Sequence, residues 1–522
     1  MQKTWRKLRG MYSREFTCGR TSMLKGVKQL GVVVGVWFMV GLAQPTRASD
    51  AASASLSAAD STLVSDLERR SAVTEEMAKA IFDTPELGYL EVRTSQRIVA
   101  ELKKAGFSIT QGIAGIPTAF VASFGSGKPV IGVLGEMDAL PGKSQAAVPF
   151  EQQIPGKANN QACGHNLFAS GSTAAVIAVK DWLTATSHTG TIRFYGTPAE
   201  EGGSGKVYMV REHAFDDVDI VLHWHPAMVN FAGLVTNNAV ISGKFRFHGK
   251  ASHAASSPER GRSALEAVEA MEAMVNMLRA HLRDGARVSS IITKGGEAPN
   301  VVPDFAEIYY YVRESDVAEL NSLWERLKKA AAGAATGTET TFEFELIHGA
   351  YNLLPNEALA HALDSNLRKR ASVIEWNSQE QLFGKRIYAT IEHPWLPWGT
   401  QADVQPFKEM HVSGSTDVGD VSWVVPTAGI VTTTWVPSTD AHTWQAAAAS
   451  GMGIGFKGMH LASQVIAMTA VDLYLDPSLV TAAREEFEKR RGPNFTYRPL
   501  VGDRAPPLDY RKARENLSDA LK

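Results

Sequence analysis

Cysteine is almost missing from this chain: its 522 residues contain two, Cys18 and Cys163. No disulfide framework can therefore hold the fold, and whatever Cys163 does it does as a single thiol or in a bridge to another chain. A charge excess of either sign is missing too. Lys and Arg number 53 against 55 Asp and Glu, a formal net charge of -2. That offers no basic field to a polyphosphate backbone, and nucleic acid is not an expected partner. Long apolar runs are lacking as well: Leu30 to Ala43 spans fourteen residues, short of the ~20 that a membrane-spanning helix needs. What is present is 44% hydrophobic and 21% charged residues, enough chain to bury a large core in two or three domains.

The apolar run follows Lys25 and Lys28 and precedes small residues at Gly41 and Ala43 or Thr46 and Ala48, the proportions of a secretory signal with two usable cleavage points. Residues 1–48 are accordingly expected to be a signal peptide, with translation starting at Met23, and the Ala/Ser-rich stretch Ser49 to Ala59 a flexible start. The mature protein is then periplasmic or secreted. Export would remove Cys18, leaving Cys163 as an inert buried thiol, an intermolecular bridge or a ligand. His165 two residues on, at the start of a predicted helix, favours the ligand, because a helix N-terminus lowers a thiol pKa.

Periodicity predicts an α/β fold with a mostly parallel sheet. Helices are expected over Leu63 to Phe82, Ser95 to Ala105, Asn166 to Ala185 and Ser204 to His213. Strands are expected over Thr118 to Phe124, Pro129 to Gly135, Thr191 to Tyr195 and Asp219 to Leu222, the second ending in Glu136-Met137-Asp138. Near Ala239 the pattern changes to β-α-β-β-α-β, the ferredoxin-like order, inserted whole into the larger unit. The expected division is 60–238 and 351–485 for the first domain, 239–350 for the insertion and 486–522 for a polar, Pro-rich tail. Trp376 to Met410 reads as an irregular loop, Gly429 to Val436 as a strand and Gln445 to Leu475 as a helix.

On this frame Cys163 and His165 enter a helix, Glu200 and Glu201 follow a strand, and His223 and His225 follow the next. His442 follows the late strand run, so all converge on the carboxyl edge of the sheet, where open α/β folds bind their ligands. Thiolate, imidazole and carboxylate together suit zinc, or manganese where carboxylate and imidazole dominate. The donors exceed what one tetrahedral ion requires. Two divalent ions use them better, and such a pair activates a water while clamping a substrate oxygen.

The Cys163-Gly164-His165 element, Glu200-Glu201-Gly202-Gly203 and the run Gly249 to Ala255 resemble the dinuclear metallopeptidase family of aminoacylases, carboxypeptidase G and plant auxin-conjugate hydrolases. Arg193 to Gly196, Pro299 to Val302, Ser415 to Trp423 and His442 to Gln445 are most similar to its aminobenzoyl-glutamate branch, over roughly Leu63 to Asp476. The resemblance implies that Cys163, His165, Glu201, one of His223 and His225, and His442 hold two metal ions, with Glu200 as general base. That branch places its histidine directly before proline, which selects His225. The inserted domain would be a lid and dimerisation domain, with His253 reaching across a dimer to the oxyanion and Asn300 and Arg313 taking a substrate α-carboxylate. Relatives carry aspartate where this chain has Asn166, expected here to orient a ligand by hydrogen bonding. The implied activity is hydrolysis of an amide between an aromatic acyl group and an amino acid such as glutamate, with Trp224, Trp395 and Trp398 as candidate aromatic surface. Two other outcomes are an N-acyl-amino-acid or dipeptide hydrolase of the same family and a non-catalytic partner subunit. The assembly would be a homodimer or a heterodimer with a homologous subunit.

Overall fold

The structure, a computed structural model, describes residues 56–371 and 375–511. The expected signal peptide, its cleavage points and the start at Met23 lie outside the described residues. The flexible start ends sooner than expected. Ser57 and Asp60 exchange side-chain bonds with each other's backbone N–H, a capping box that opens the helix Ala58–Asp83.

Eleven strands build two sheets: β1 (Ser108–Gln111), β2 (Phe120–Ser126), β3 (Val130–Glu136), β4 (Gly190–Thr197), β5 (Ile220–Ala227), β6 (Phe231–Ala232), β7 (Ala239–His248), β8 (Arg287–Lys294), β9 (Phe305–Glu314), β10 (Thr341–Ala350) and β11 (Thr427–Thr433). The larger sheet runs β1-β2-β4-β3-β5-β11-β6. It is mixed rather than mostly parallel: the central strands β4, β3, β5 and β11 are parallel, and the pairs at both ends are antiparallel. Short connections are the cause. The chain reverses between β2 and β3 and between β5 and β6 in loops too short for a crossover, so each pair of successive strands runs in opposite directions. A later strand then fills each gap, β4 beside β2 and β11 beside β6, parallel to one neighbour and antiparallel to the other.

Every residue of β3 is buried, as a strand covered on both faces requires. The helix His165–Thr186 packs against β3 and against the helices Ala58–Asp83 and Gly453–Leu475. Its small residues permit that approach. A side chain on Gly171 would meet Met459 Cγ and Trp224 Cζ2 at 3.0 Å. The segment expected as one helix from Gln445 to Leu475 is two, Trp444–Ser450 and Gly453–Leu475, because Met452 is extended and caps the second.

The smaller sheet runs β8-β9-β7-β10, all antiparallel. The helices Ala264–Arg279 and Val317–Gly337 cover one face through Ile241, Phe245, Phe247, Ile308, Tyr310 and Val312. Alternation turns Tyr309, Tyr311 and Arg313 of β9 to the opposite face.

Two stretches differ from the expectation. The irregular tract contains the helix Ser378–Tyr388, capped by Asn377 and Glu380, which packs Phe383 and Ile387 on Trp435 and Val436. The boundary at 485/486 falls inside the helix Pro477–Arg491. Beyond it the chain does not leave the molecule: Tyr497 Oη donates to Asp420 at 2.6 Å, Leu500 packs on Gly349, and Arg504 donates to the Leu346 carbonyl.

Candidate metal centre

Three groups of donors meet at the carboxyl edge of the larger sheet. Cys163, His165 and His225 form one, Cys163, Glu201 and His442 a second, and Glu136, His165 and Glu200 a third, with the donor atoms of each within 4.8 Å of one another. Gly164, at φ +76°, makes the turn that brings both Cys163 and His165 inward, and a side chain there would strike Pro226.

Hydrogen bonds set the tautomers. His165 Nδ1 donates to the Asp138 carbonyl at 2.9 Å and His225 Nδ1 to the Pro226 carbonyl at 2.8 Å. A carbonyl can only accept, so each ring carries its proton on Nδ1 and turns the Nε2 lone pair inward. His225 Nε2 lies 3.4 Å from Cys163 Sγ. His223, two residues earlier, instead packs on Gly429, its paired residue on β11. His225 is therefore the member of the pair brought to the cluster. Burial pushes His223 down to about 4, against the pull of Glu136.

Asp138 organises the glutamate loop. Its two carboxylate oxygens accept from the backbone N–H of Glu200 at 3.1 Å and of Glu201 at 2.9 Å. Glu91 braces the same loop, accepting from Ala199 N at 2.8 Å and from Thr118 Oγ1 at 3.0 Å. Ala199 and Ser204 at the ends of this loop, and His442 opposite, adopt positive φ. Each such non-glycine residue costs on the order of 1 kcal/mol, which the surrounding bonds offset.

A second buried network supports the first. Lys206 Nζ sits 2.7 Å from Glu136 and 2.6 Å from Asp417, all three essentially inaccessible to solvent. Burial opposes the ammonium charge, but Asp417 and Glu136 hold its pKa well above the ordinary value. Burial would likewise raise Glu136, and Lys206 followed by His165 brings it well below the usual carboxylate range.

The donor set fits divalent cations. His165 Nε2, Glu136 Oε2 and Glu201 Oε1 are buried without an aligned hydrogen-bond partner, although His165 Nε2 is 3.1 Å from Glu136 Oε2 and His442 Nε2 is 3.2 Å from Glu201 Oε1. Atoms this close and unaligned lack a common partner, and a cation between them supplies it. Burial, then Glu136, Glu201 and Asp417, raises the Glu200 carboxyl well above its ordinary value. Burial, then Glu201, pushes the Cys163 thiol up in the same sense.

Other expected site residues lie elsewhere. His253 and Asn300 are exposed together on the inserted domain, Ala254 N donating to the Asn300 carbonyl and Ala255 and Ser256 N to His253 Nδ1. Arg313 is half-buried on β9 with its guanidinium 5.6 Å from the centre of the Tyr311 ring. Asn166 does not orient a ligand. Its Nδ2 donates to the carbonyls of Ala78 at 3.1 Å and Ser450 at 2.9 Å, tying down the helix start. Trp224 is fully buried against Phe168, Trp398 packs on Trp376 and Tyr388, and Trp395 is on the surface, so these three rings line no common surface at the cluster. Sequence reasoning does not single out Glu136, Asp138, Lys206 or Asp417, although the first two end an apolar strand in Glu-Met-Asp.

Comparison with known proteins agrees with this chemistry. Residues 132–387 match the model of Peptidase family M20/M25/M40. The B chain of the two-part p-aminobenzoyl-glutamate hydrolase of Escherichia coli (strain K12) is 39% identical over 79% of this chain and 92% of its own length. The Xaa-Arg dipeptidase of Mus musculus is 31% identical over 79% of this chain and 88% of its own. The fold is shared with a dinuclear metal binding peptidase from the M20 family of Bacillus subtilis, with a TM-score of 0.52 and 19% identity over 78% of this chain and 99% of that one. An aminobenzoyl-glutamate utilization protein from Klebsiella pneumoniae gives 0.53 and 18% over 76% and 98%. The chain belongs to Peptidase family M20/M25/M40 and is a hydrolase of that family.

Proposed function

We propose that this hydrolase cleaves the amide bond between an aroyl group and an amino acid, with N-aroyl-glutamates such as p-aminobenzoyl-glutamate as the substrate class. The observation that carries this reading is the buried Glu200 carboxyl, within 4.8 Å of Glu136 and His165 and beside the Cys163, His225, Glu201 and His442 donors. A non-catalytic subunit has no physical need for a raised carboxyl beside such a set.

Two divalent ions, zinc or manganese, held by Cys163, His165, Glu201, His225 and His442 would supply Lewis acidity toward the scissile carbonyl and lower the pKa of a water. Glu200 takes that water's proton as the water attacks the carbonyl carbon. When the tetrahedral intermediate collapses, Glu200 returns the proton to the leaving amine nitrogen, so one carboxyl serves as base and then acid. A carboxyl raised toward the working pH suits both steps. Asp138 holds the backbone of Glu200 and Glu201 fixed throughout, and Arg313 contributes a cation for the substrate α-carboxylate.

His253 is read as reaching the oxyanion of a partner's site. Its exposure supports this, as does the edge strand β8, where Ile291 and Ile292 are 62% and 44% exposed and present a flank for a second copy or a homologous subunit. Export to the periplasm rests on residues 1–48 and is tested by cell fractionation.

The function is tested with purified, metal-reconstituted protein against aroyl-glutamates, acyl-amino acids and dipeptides, with elemental analysis. Aroyl-glutamates should be turned over fastest, a chelator should abolish turnover, and Glu200→Ala should lower kcat by roughly 10²- to 10⁴-fold with metal content retained. Unchanged turnover in that variant rejects the assignment. Faster cleavage of dipeptides replaces the substrate class with that of the mouse relative.

A further inference from the structure

The last described residues end at the metal centre. Arg511 Nη2 donates to the Glu201 carbonyl at 2.5 Å, Tyr510 Oη lies 3.4 Å from the same oxygen, and the Tyr510 ring meets Tyr89 edge-on at 5.7 Å. Arg313 comes from the inserted sheet, on the other side of Tyr311. Tyr311 Oη and Arg511 Nη2 stand 3.5 and 3.7 Å from the place a side chain on Gly202 would occupy. His348 of β10, whose environment includes both Arg313 and Glu201, joins the same cleft through its bond with Ser204. Two guanidiniums thus flank one tyrosine beside the catalytic loop.

Neither has its counter-charge. The Nε atoms of Arg313 and Arg511 are both buried without a hydrogen-bond partner, and among the described residues neither arginine pairs with a carboxylate. Desolvated, unpaired donors on two like charges are unfavourable until an anion arrives. The amide of an acidic amino acid brings two carboxylates, one on the α-carbon and one on the side chain.

We infer that Arg511 is a specificity residue that reads the side-chain carboxylate of the amino acid, while Arg313 takes the α-carboxylate. The segment after the last helix is then part of the substrate site. This rests on the amidohydrolase reading above and adds to it a reason for preferring glutamate over a neutral residue. The guanidinium fork has donors to spare: one N–H holds the Glu201 carbonyl and the remainder face the cleft as a planar, bidentate partner.

The test is calorimetric binding of N-(4-aminobenzoyl)glutamate and N-(4-aminobenzoyl)glycine to the metal-loaded full chain, in a Glu200→Ala background so that ligand is not consumed. Arg511→Gln should reduce the glutamate-over-glycine preference by about tenfold or more. Arg313→Gln should weaken both ligands. Arg511→Lys keeps the cation and loses the fork, and should keep part of the preference; it also serves if Arg511→Gln melts early. A preference unchanged in both Arg511 variants overturns the inference, including the case where both affinities fall together, which would make Arg511 a positioning residue for Glu201. If the intact enzyme turns over neither amide but the preference depends on Arg511, the proposed activity fails and the carboxylate reading stands.

Discussion

Asn166 shows how one atom decides a residue's role. Its Nδ2 donates to two main-chain carbonyls from distant helices, which an aspartate cannot do. Asn166→Asp removes both bonds and buries an unpaired charge, and should cost about 3 kcal/mol or more. The measurement is the urea midpoint of metal-loaded protein; an unshifted midpoint would mean that the two bonds carry nothing. At this scale the sequence leaves much unread. His223 and His225 have the same residue type and lie on the same strand face, and only the packing of one ring on Gly429 separates them. Trp224 is an aromatic between two histidines in the sequence and a core residue in the fold, because strand alternation turns it to the opposite side.

Among elements, the buried Lys206 joins the helix Gly205–Arg211, strand β3 through Glu136, and the start of the helix Val418–Ser422 through Asp417. Lys206→Met leaves two carboxylates facing each other without a cation and should destabilise by about 3–5 kcal/mol. A double variant with Asp417→Asn should recover part of this, and denaturation of the four proteins in the cycle measures the coupling. The strands and helices that place the donors were legible, since periodicity locates strand ends and strand ends share one edge. The family was legible for the same reason: its motifs sit at those ends. Lys206 and Asp417 were not, because a pairing between remote segments leaves no trace in local periodicity. The path of residues 492–511 was hidden likewise, its anchors being single side chains such as Tyr497 and Arg504 rather than a periodic face. The helix Ser378–Tyr388 could have been found from Asn377 and Glu380, a cap signal overshadowed by the tryptophans and prolines around it.

Across the whole molecule, buried carboxyls set the dependence on pH. Burial pushes Asp420 up to about 7, only partly opposed by the Tyr497 hydroxyl and the Tyr351 amide. Its folded pKa thus exceeds the unfolded value of about 3.9, so the stability it contributes is fully present below about pH 4 and is lost as pH rises through about 7. The urea midpoint should fall between pH 5 and pH 8, and Asp420→Asn should flatten that slope. Glu91, pushed to about 8 by burial and then by Asp138, acts with the same sign. A midpoint that rises over this range would contradict both.

The interleaving of the larger sheet also fixes an order of events during synthesis. β11 lies between β5 and β6, so a nascent chain that has completed its first 240 or so residues holds two strands apart with nothing between them, and must produce the entire inserted domain before the missing one exists. His442 emerges later still. A ribosome that stalls anywhere before it releases a chain with an open strand flank and a donor set one imidazole short, so the ability to capture the full complement of ions arrives near the end of translation.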